Sequence, residues 1–273
     1  MKRYFPLFAL CIVRAYCSDV VDVPYVVRRA ASTMEADWSA APGYAFVQRD
    51  MTTSKGATTS RTHQVFMISG SDYYMPIAID DKPLPADQHM LQLQRLKEEI
   101  ERRSRESPQE ARQRSEQYRK AREQNGILLE EFTKAFDFTF AGDETIDRHA
   151  CYVLEAKPKV GYRPPSRTAK VLAGMQGRLW IDRENFHWVK AEADVLRPVS
   201  VLGLFARVLP GTRMDLEMIP VTDSVCLVSR FALDMRLSIL WRKSMKATET
   251  TFNSYRPAAA ALADALEIKE TAP

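Results

Sequence analysis

The segment Val225 to Leu240 constrains this chain more than any other. Its odd positions read Leu227, Phe231, Leu233, Met235, Leu237 and Ile239, with Ser229 off pattern, and its even positions carry Arg230, Asp234, Arg236 and Ser238. That alternation is the mark of a strand with one apolar and one wet face. At about 3.3 Å per residue it would run roughly 50 Å, well beyond an ordinary strand, so it belongs to a large sheet that curls. Two more runs repeat the pattern. Met214, Leu216 and Met218 alternate with Arg213, Asp215 and Glu217, and Val189, Ala191, Ala193 and Val195 alternate with Lys190, Glu192 and Asp194. Neighbouring strands thus give one sheet a shared apolar face. Burying each large aliphatic side chain is worth about 1.5–3 kcal/mol, so helices or a ligand must cover it.

Elsewhere the pattern predicts about ten strands joined mostly by short turns, an antiparallel sheet rather than parallel βαβ units. Strands are expected at 44–51, 61–68, 73–79, 136–140, 150–156, 177–182, 187–196, 213–221 and 245–255, with a turn at Ala141-Gly142-Asp143. Pro24 to Trp38 reads as a helix with an apolar stripe of Val26, Val27, Ala30, Ala31 and Met34. Residues 86–124 differ in composition. Glu98–Arg102, Glu99–Arg103, Glu101–Arg105, Glu110–Arg114 and Glu116–Lys120 are acid-before-base pairs at i,i+4. Ser107-Pro108-Gln109-Glu110 is a capping box, and Asn125-Gly126 reads as a helix stop. A short third helix would follow at 127–135. The expectation is a solvated helical hairpin, dispensable for folding, inserted at 86–135.

Met1-Lys2-Arg3, an apolar run to Val13 and the small residues Ala15 and Cys17 read as a secretory signal peptide, 1–17. Removing it leaves 36 basic against 35 acidic residues, a net +1. That balance gives no argument for nucleic acid. No apolar run after residue 17 reaches the ~18 residues of a membrane helix. Cys151 and Cys226 read as buried small hydrophobes, with a disulfide left open. No Gly-rich phosphate loop, zinc-protease motif or nucleophile elbow is present. The four histidines, His63, His89, His149 and His187, have no ligand spacing. Nothing here marks an enzyme.

Gly177-Arg178-Leu179-Trp180-Ile181-Asp182, preceded by the strand Tyr152 to Lys157, resembles a segment of the outer-membrane lipoprotein-sorting proteins. These are similar to the periplasmic carrier LolA and its receptor LolB. The likeness covers roughly 136–256. It implies a mostly β, α+β fold: a strongly curved antiparallel sheet forming an incomplete barrel, lidded by helices. The domain would span 18–256, with a tail at 257–273. The resemblance also implies periplasmic carriage of lipoprotein acyl chains or other lipid, without a cofactor. No lipobox precedes Cys17, which argues against an anchored receptor. The expected lipid-binding residues are Leu227, Phe231, Leu233, Met235, Leu237, Ile239, Met214, Leu216 and Met218. The alternative is an envelope module of the same fold that senses lipid or binds a regulatory protein.

Overall fold

The computed structural model describes residues 20–166, 169–200, 205–240 and 242–267, and for 124–130 the backbone only. The expected leader, 1–17, lies outside them.

Helix α1 (Val23–Ala40) opens the described chain. Asp22 caps it by accepting the N–H of Tyr25 at 2.9 Å, and a proline stands in its first turn. Its buried stripe is Val26, Ala30, Met34 and Asp37. A meander follows: β1 (Tyr44–Ser54), β2 (Ala57–Ile68), β3 (Ser71–Ile79) and the two-residue β4 (Lys82–Pro83). Then come α2 (Ala86–Ser104) and α3 (Pro108–Ala135). The second half is β5 (Phe136–Ile146), β6 (His149–Pro158), a 3-10 turn (Ala169–Gly174), β7 (Met175–Asp182) and β8 (Trp188–Val195). It continues through β9 (Val199–Ser200), β10 (Ala206–Val208), β11 (Arg213–Thr222), β12 (Val225–Ile239) and β13 (Arg242–Pro257) to α4 (Ala258–Glu267).

The thirteen strands among the described residues form one sheet, in the order β4-β3-β2-β1-β13-β12-β11-β8-β7-β6-β5, with β10 on β12 and β9 on β10. Every pairing is antiparallel, and β4 and β5 end the path unpaired with each other. The mostly β, open antiparallel sheet with helices is the expected fold class. Several boundaries move. The turn expected at Ala141-Gly142-Asp143 is a bulge inside β5, and the hairpin turns instead at Asp147 and Arg148. Both have positive φ (46° and 74°), as a tight two-residue hairpin turn requires.

The helical segment departs most from expectation. Asn125-Gly126 does not stop α3, which runs unbroken for 28 residues, about 42 Å. The capping box at Ser107 and Glu110 is present as expected. The pair of helices carries the chain from one edge strand, β4, to the opposite edge, β5. It is the crossover that lets β13 close against β1, not an ornament on a loop. Nor is α2 merely solvated: Leu93 and Leu96 lie in a core with Ala45, Phe66, Ile68, Met75 and Ala261 of α4. Of the expected i,i+4 pairs, Glu99–Arg103, Glu101–Arg105 and Glu116–Lys120 form. Arg102 turns instead to Glu99 and Glu106, and Arg114 to Glu106.

The helices divide between the sheet's two faces. Ala45, Phe66 and Ile68 put α2 and α4 on one. On the other, α1 packs on Leu154, Leu179, Ile181, Ala191 and Met218. Helix α3 joins it there: Tyr118 reaches Met67, Arg122 stacks on Trp38 of α1 at 4.4 Å, and Phe132 meets Phe136, Phe138 and Trp188.

Candidate functional site

On the face covered by α1, Phe231 of β12 stands opposite Leu216 of β11, and Leu233 opposite Met214. These neighbours belong to two different cores. Leu216 and Met218 pack beneath α1 with Val26, Ala30 and Met34. Met214 and Leu237 pack beneath the 3-10 turn, with Phe136, Leu172, Met175 and Val208. Between the two plugs, Phe231, Leu233 and Met235 are half-buried and join neither core. Their partners across β13 are Thr250, Thr248 and Lys246. Beyond these, Thr250 donates to Asp50 at 2.8 Å, and Gln48 donates to the same carboxylate. The result is a strip with an apolar floor on β11 and β12 and a polar wall on β13 and β1. Its reverse side is wet, with Arg230 held between Glu249 at 2.7 Å and Glu217 at 3.3 Å.

The expected single apolar face of β12 is broken near its start. Glu217 pairs with Arg230 but Met218 with Val228, so Ser229 is an extra residue on β12. A bulge of this kind flips the alternation. Cys226 and Val228 therefore join the core under α1, and Leu227 lies on the opposite face from Phe231. Met218, 8% exposed, is a core residue. Ile239, 47% exposed, stands out at the far end of the strand.

The Gly-x-Leu-Trp-Ile-Asp segment has a structural account. A Cβ on Gly177 would run into the Glu192 carbonyl oxygen and sit 3.3 Å from Cα of Ala193. Leu179 and Ile181 fill the core under α1. Trp180 points to the other face, beside Cys151 and Val153, and donates its indole N–H to Glu144 at 2.8 Å. Asp182 caps the next turn by accepting from the N–H groups of Glu184 and Asn185.

A second concavity, about 410 Å³, involves residues that no spacing in the sequence brings together. His149, Asp182, His187, Trp188, Met218, Thr222 and Cys226 are among its lining. His149 Nδ1 lies 2.7 Å from Asp182, and His187 Nδ1 lies 2.8 Å from Asp37. Each imidazole is thus oriented by a carboxylate. The indole N–H of Trp188 is buried without a partner. Burial pushes the Asp182 carboxyl up, but the backbone N–H groups of Glu184 and Asn185 and the His149 ring together outweigh it and hold the group below the usual carboxylate range. Cys151 and Cys226 are both free thiols. Burial pushes Cys226 up to about 12 and Cys151 to about 11, so neither is a thiolate nucleophile near neutral pH. Among the described residues, no three His, Cys, Asp or Glu side chains gather as a metal-binding set.

No protein-family model matches the sequence, and no curated protein does. Comparison with solved structures finds a LolA superfamily protein from Nitrosomonas europaea, 13% identical, covering 87% of this chain and 94% of that one, with a TM-score of 0.34. An outer-membrane lipoprotein-sorting protein domain from Vibrio parahaemolyticus is 14% identical over 84% of this chain and 91% of its own, with a TM-score of 0.33. A MucA/MucB complex structure from Pseudomonas aeruginosa matches at 10% identity, over 84% of this chain and 98% of that chain, with a TM-score of 0.21. At these TM-scores the fold assignment rests on the strand order and helix placement of the chain itself.

Proposed function

We propose that this chain is an exported binding protein that holds an acyl chain of a lipid or lipoprotein on the inner row of β12. The observation that carries this reading is the strip of Phe231, Leu233 and Met235, half-buried and outside both flanking cores. Apolar side chains in such a place favour a ligand that removes them from water, at about 25 cal/mol per Å² buried. The polar wall formed by Thr248, Thr250 and Lys246 suits the other end of an amphiphile. The resemblance of the Gly177–Asp182 segment and the leader-like residues 1–17 support periplasmic work. A binding role is preferred to a catalytic one because Cys151 and Cys226, the thiols among the described residues, are buried and held protonated.

The test is binding of a fluorescent fatty acid, with thermal unfolding followed in parallel. Leu233→Glu is expected to fold, since water reaches the strip, and to lose binding. Asp234→Leu, on the opposite face, is expected to bind as the parent does. Normal fatty-acid binding by Leu233→Glu, or failure of that variant to fold, would sink the reading.

A further inference from the structure

The inner row of β12 ends at Ile239, beside a patch of exposed apolar side chains. Ile239 pairs with Arg242 across the β12–β13 hairpin, and the N–H of Leu240 bonds the carbonyl of Phe205 at 2.9 Å. These contacts gather large apolar side chains at one tip of the sheet. Phe205 is 66% exposed, Leu240 55% and Met245 67%. Clusters of this kind mark interaction sites more often than accidents of surface composition.

The charge around the tip has one sign. Residues 235–246 carry Arg236, Arg242, Lys243 and Lys246 and no acid, and residues 196–212 carry Arg197 and Arg207 and no acid. Arg207 and Lys243 flank Ser238 from the two neighbouring strands. Among the described residues, no carboxylate pairs with Arg207, Arg236, Arg242, Lys243 or Lys246. By contrast, Arg213 of β11 and Arg230 of β12, further from the tip, are each held by two acids. The free cations therefore follow the exposed apolar tip, not the sheet at large.

We propose that this tip is a docking surface for an anionic lipid bilayer. Phe205, Ile239, Leu240 and Met245 enter the headgroup boundary, and Arg207, Arg242, Lys243 and Lys246 meet the lipid phosphates. An apolar wedge with a basic collar has the chemistry of a peripheral membrane anchor, and neither half alone holds stably. The collar supports this occupant over a protein: its cations have no carboxylate partner among the described residues and suit lipid phosphates, while Leu237, packed beneath the 3-10 turn, separates the tip from the strip. The proposal rests on the tip's own residues and not on the acyl-chain reading, and the two are measured separately.

The experiment is co-sedimentation of the mature chain with vesicles of phosphatidylcholine, with and without phosphatidylglycerol. Binding is expected to the anionic vesicles, to weaken about fivefold for each cation removed (Arg242→Gln, Lys243→Gln) and to fall with added salt. Leu240→Asp and Phe205→Asp are expected to weaken it at least about tenfold. Because these side chains are exposed, their thermal transitions should not move. Fatty-acid binding in solution is measured on the same variants. If it is absent from the parent while vesicle binding persists, the docking proposal stands and the acyl-chain reading falls. No binding of the parent chain to anionic vesicles, or equal binding by the parent and both aspartate variants, overturns the docking proposal. So does tip-dependent capture of a second protein with no vesicle binding.

Discussion

Asp37 of α1 and His187 beside β8 meet at 2.8 Å across 150 positions of sequence, with side chains 2% and 6% exposed. The other carboxylate oxygen of Asp37 accepts the backbone N–H of Cys226 at 3.0 Å. One buried carboxylate thus ties α1 to the start of β12 and to the turn before β8. Asp37→Ala would leave a buried imidazole N and a buried N–H unsatisfied. The expected loss is about 3–5 kcal/mol, seen as a lower denaturant midpoint. Asn at the same position keeps an acceptor and should recover a good part of it. Equal stability of the alanine variant and the parent would show that the tie is not structural.

Arg103 decides whether α2 is dispensable. Its guanidinium, 5% exposed, donates to the carbonyls of Ile68, Ser71 and Asp72 and to the Ser71 hydroxyl, and pairs with Glu99 at 2.6 Å. It therefore holds the β2–β3 turn from the side. Arg103→Met should cost about 3–5 kcal/mol, because three carbonyls and a carboxylate lose a buried partner. Replacing 87–124 by a short flexible linker should abolish cooperative unfolding, since the helices span the sheet from edge to edge. A deletion that melts like the parent would restore the view of an optional insertion.

Gly177 is a place where only hydrogen fits. Gly177→Ala sets a methyl against the Glu192 carbonyl and 3.3 Å from the backbone of Ala193, so β7 and β8 must part. The expected cost is on the order of 2–3 kcal/mol, more than a glycine in an open strand would show. Thermal denaturation would read it. A neutral outcome would mean the two strands can shift at no cost.

Acid should loosen α2 first. Hydrogen bonds from Arg102, and then Arg103, hold the Glu99 carboxyl well below its ordinary 4.5, at about 2. The folded value is depressed, so this contribution is complete above about pH 4.5 and lost as pH falls toward 2. Asp81, also lowered to about 2 by Arg49 and Ser60, is exposed and adds little in the same window. Glu99→Gln should lower the thermal midpoint at neutral pH and flatten its fall between about pH 6 and pH 3. Parallel curves for parent and variant would assign the acid sensitivity elsewhere.

The sequence by itself determined ten of the thirteen strands, all but the short β4, β9 and β10, together with the antiparallel class, the capping box at Ser107 and the apolar row of β12 from Phe231 to Leu237. All of these are local: alternation and capping are read within a few residues. It could not place Ser229, because a bulge is defined by the strand opposite, and so it put Leu227 on the wrong face. It read α2 and α3 as solvated because their charges outnumber their apolar residues. Yet Leu93, Leu96 and Arg103 find their partners in β2 and β3, outside their own helix; Arg103 and Ile68 are 35 positions apart. The role of those helices follows from topology, since only the strand order shows that they link the sheet's two edges. Pairing of Asp37 with His187 and of His149 with Asp182 was likewise a tertiary decision. A buried carboxylate is satisfied by whatever donor the fold brings within hydrogen-bond reach, and sequence spacing carries no record of it.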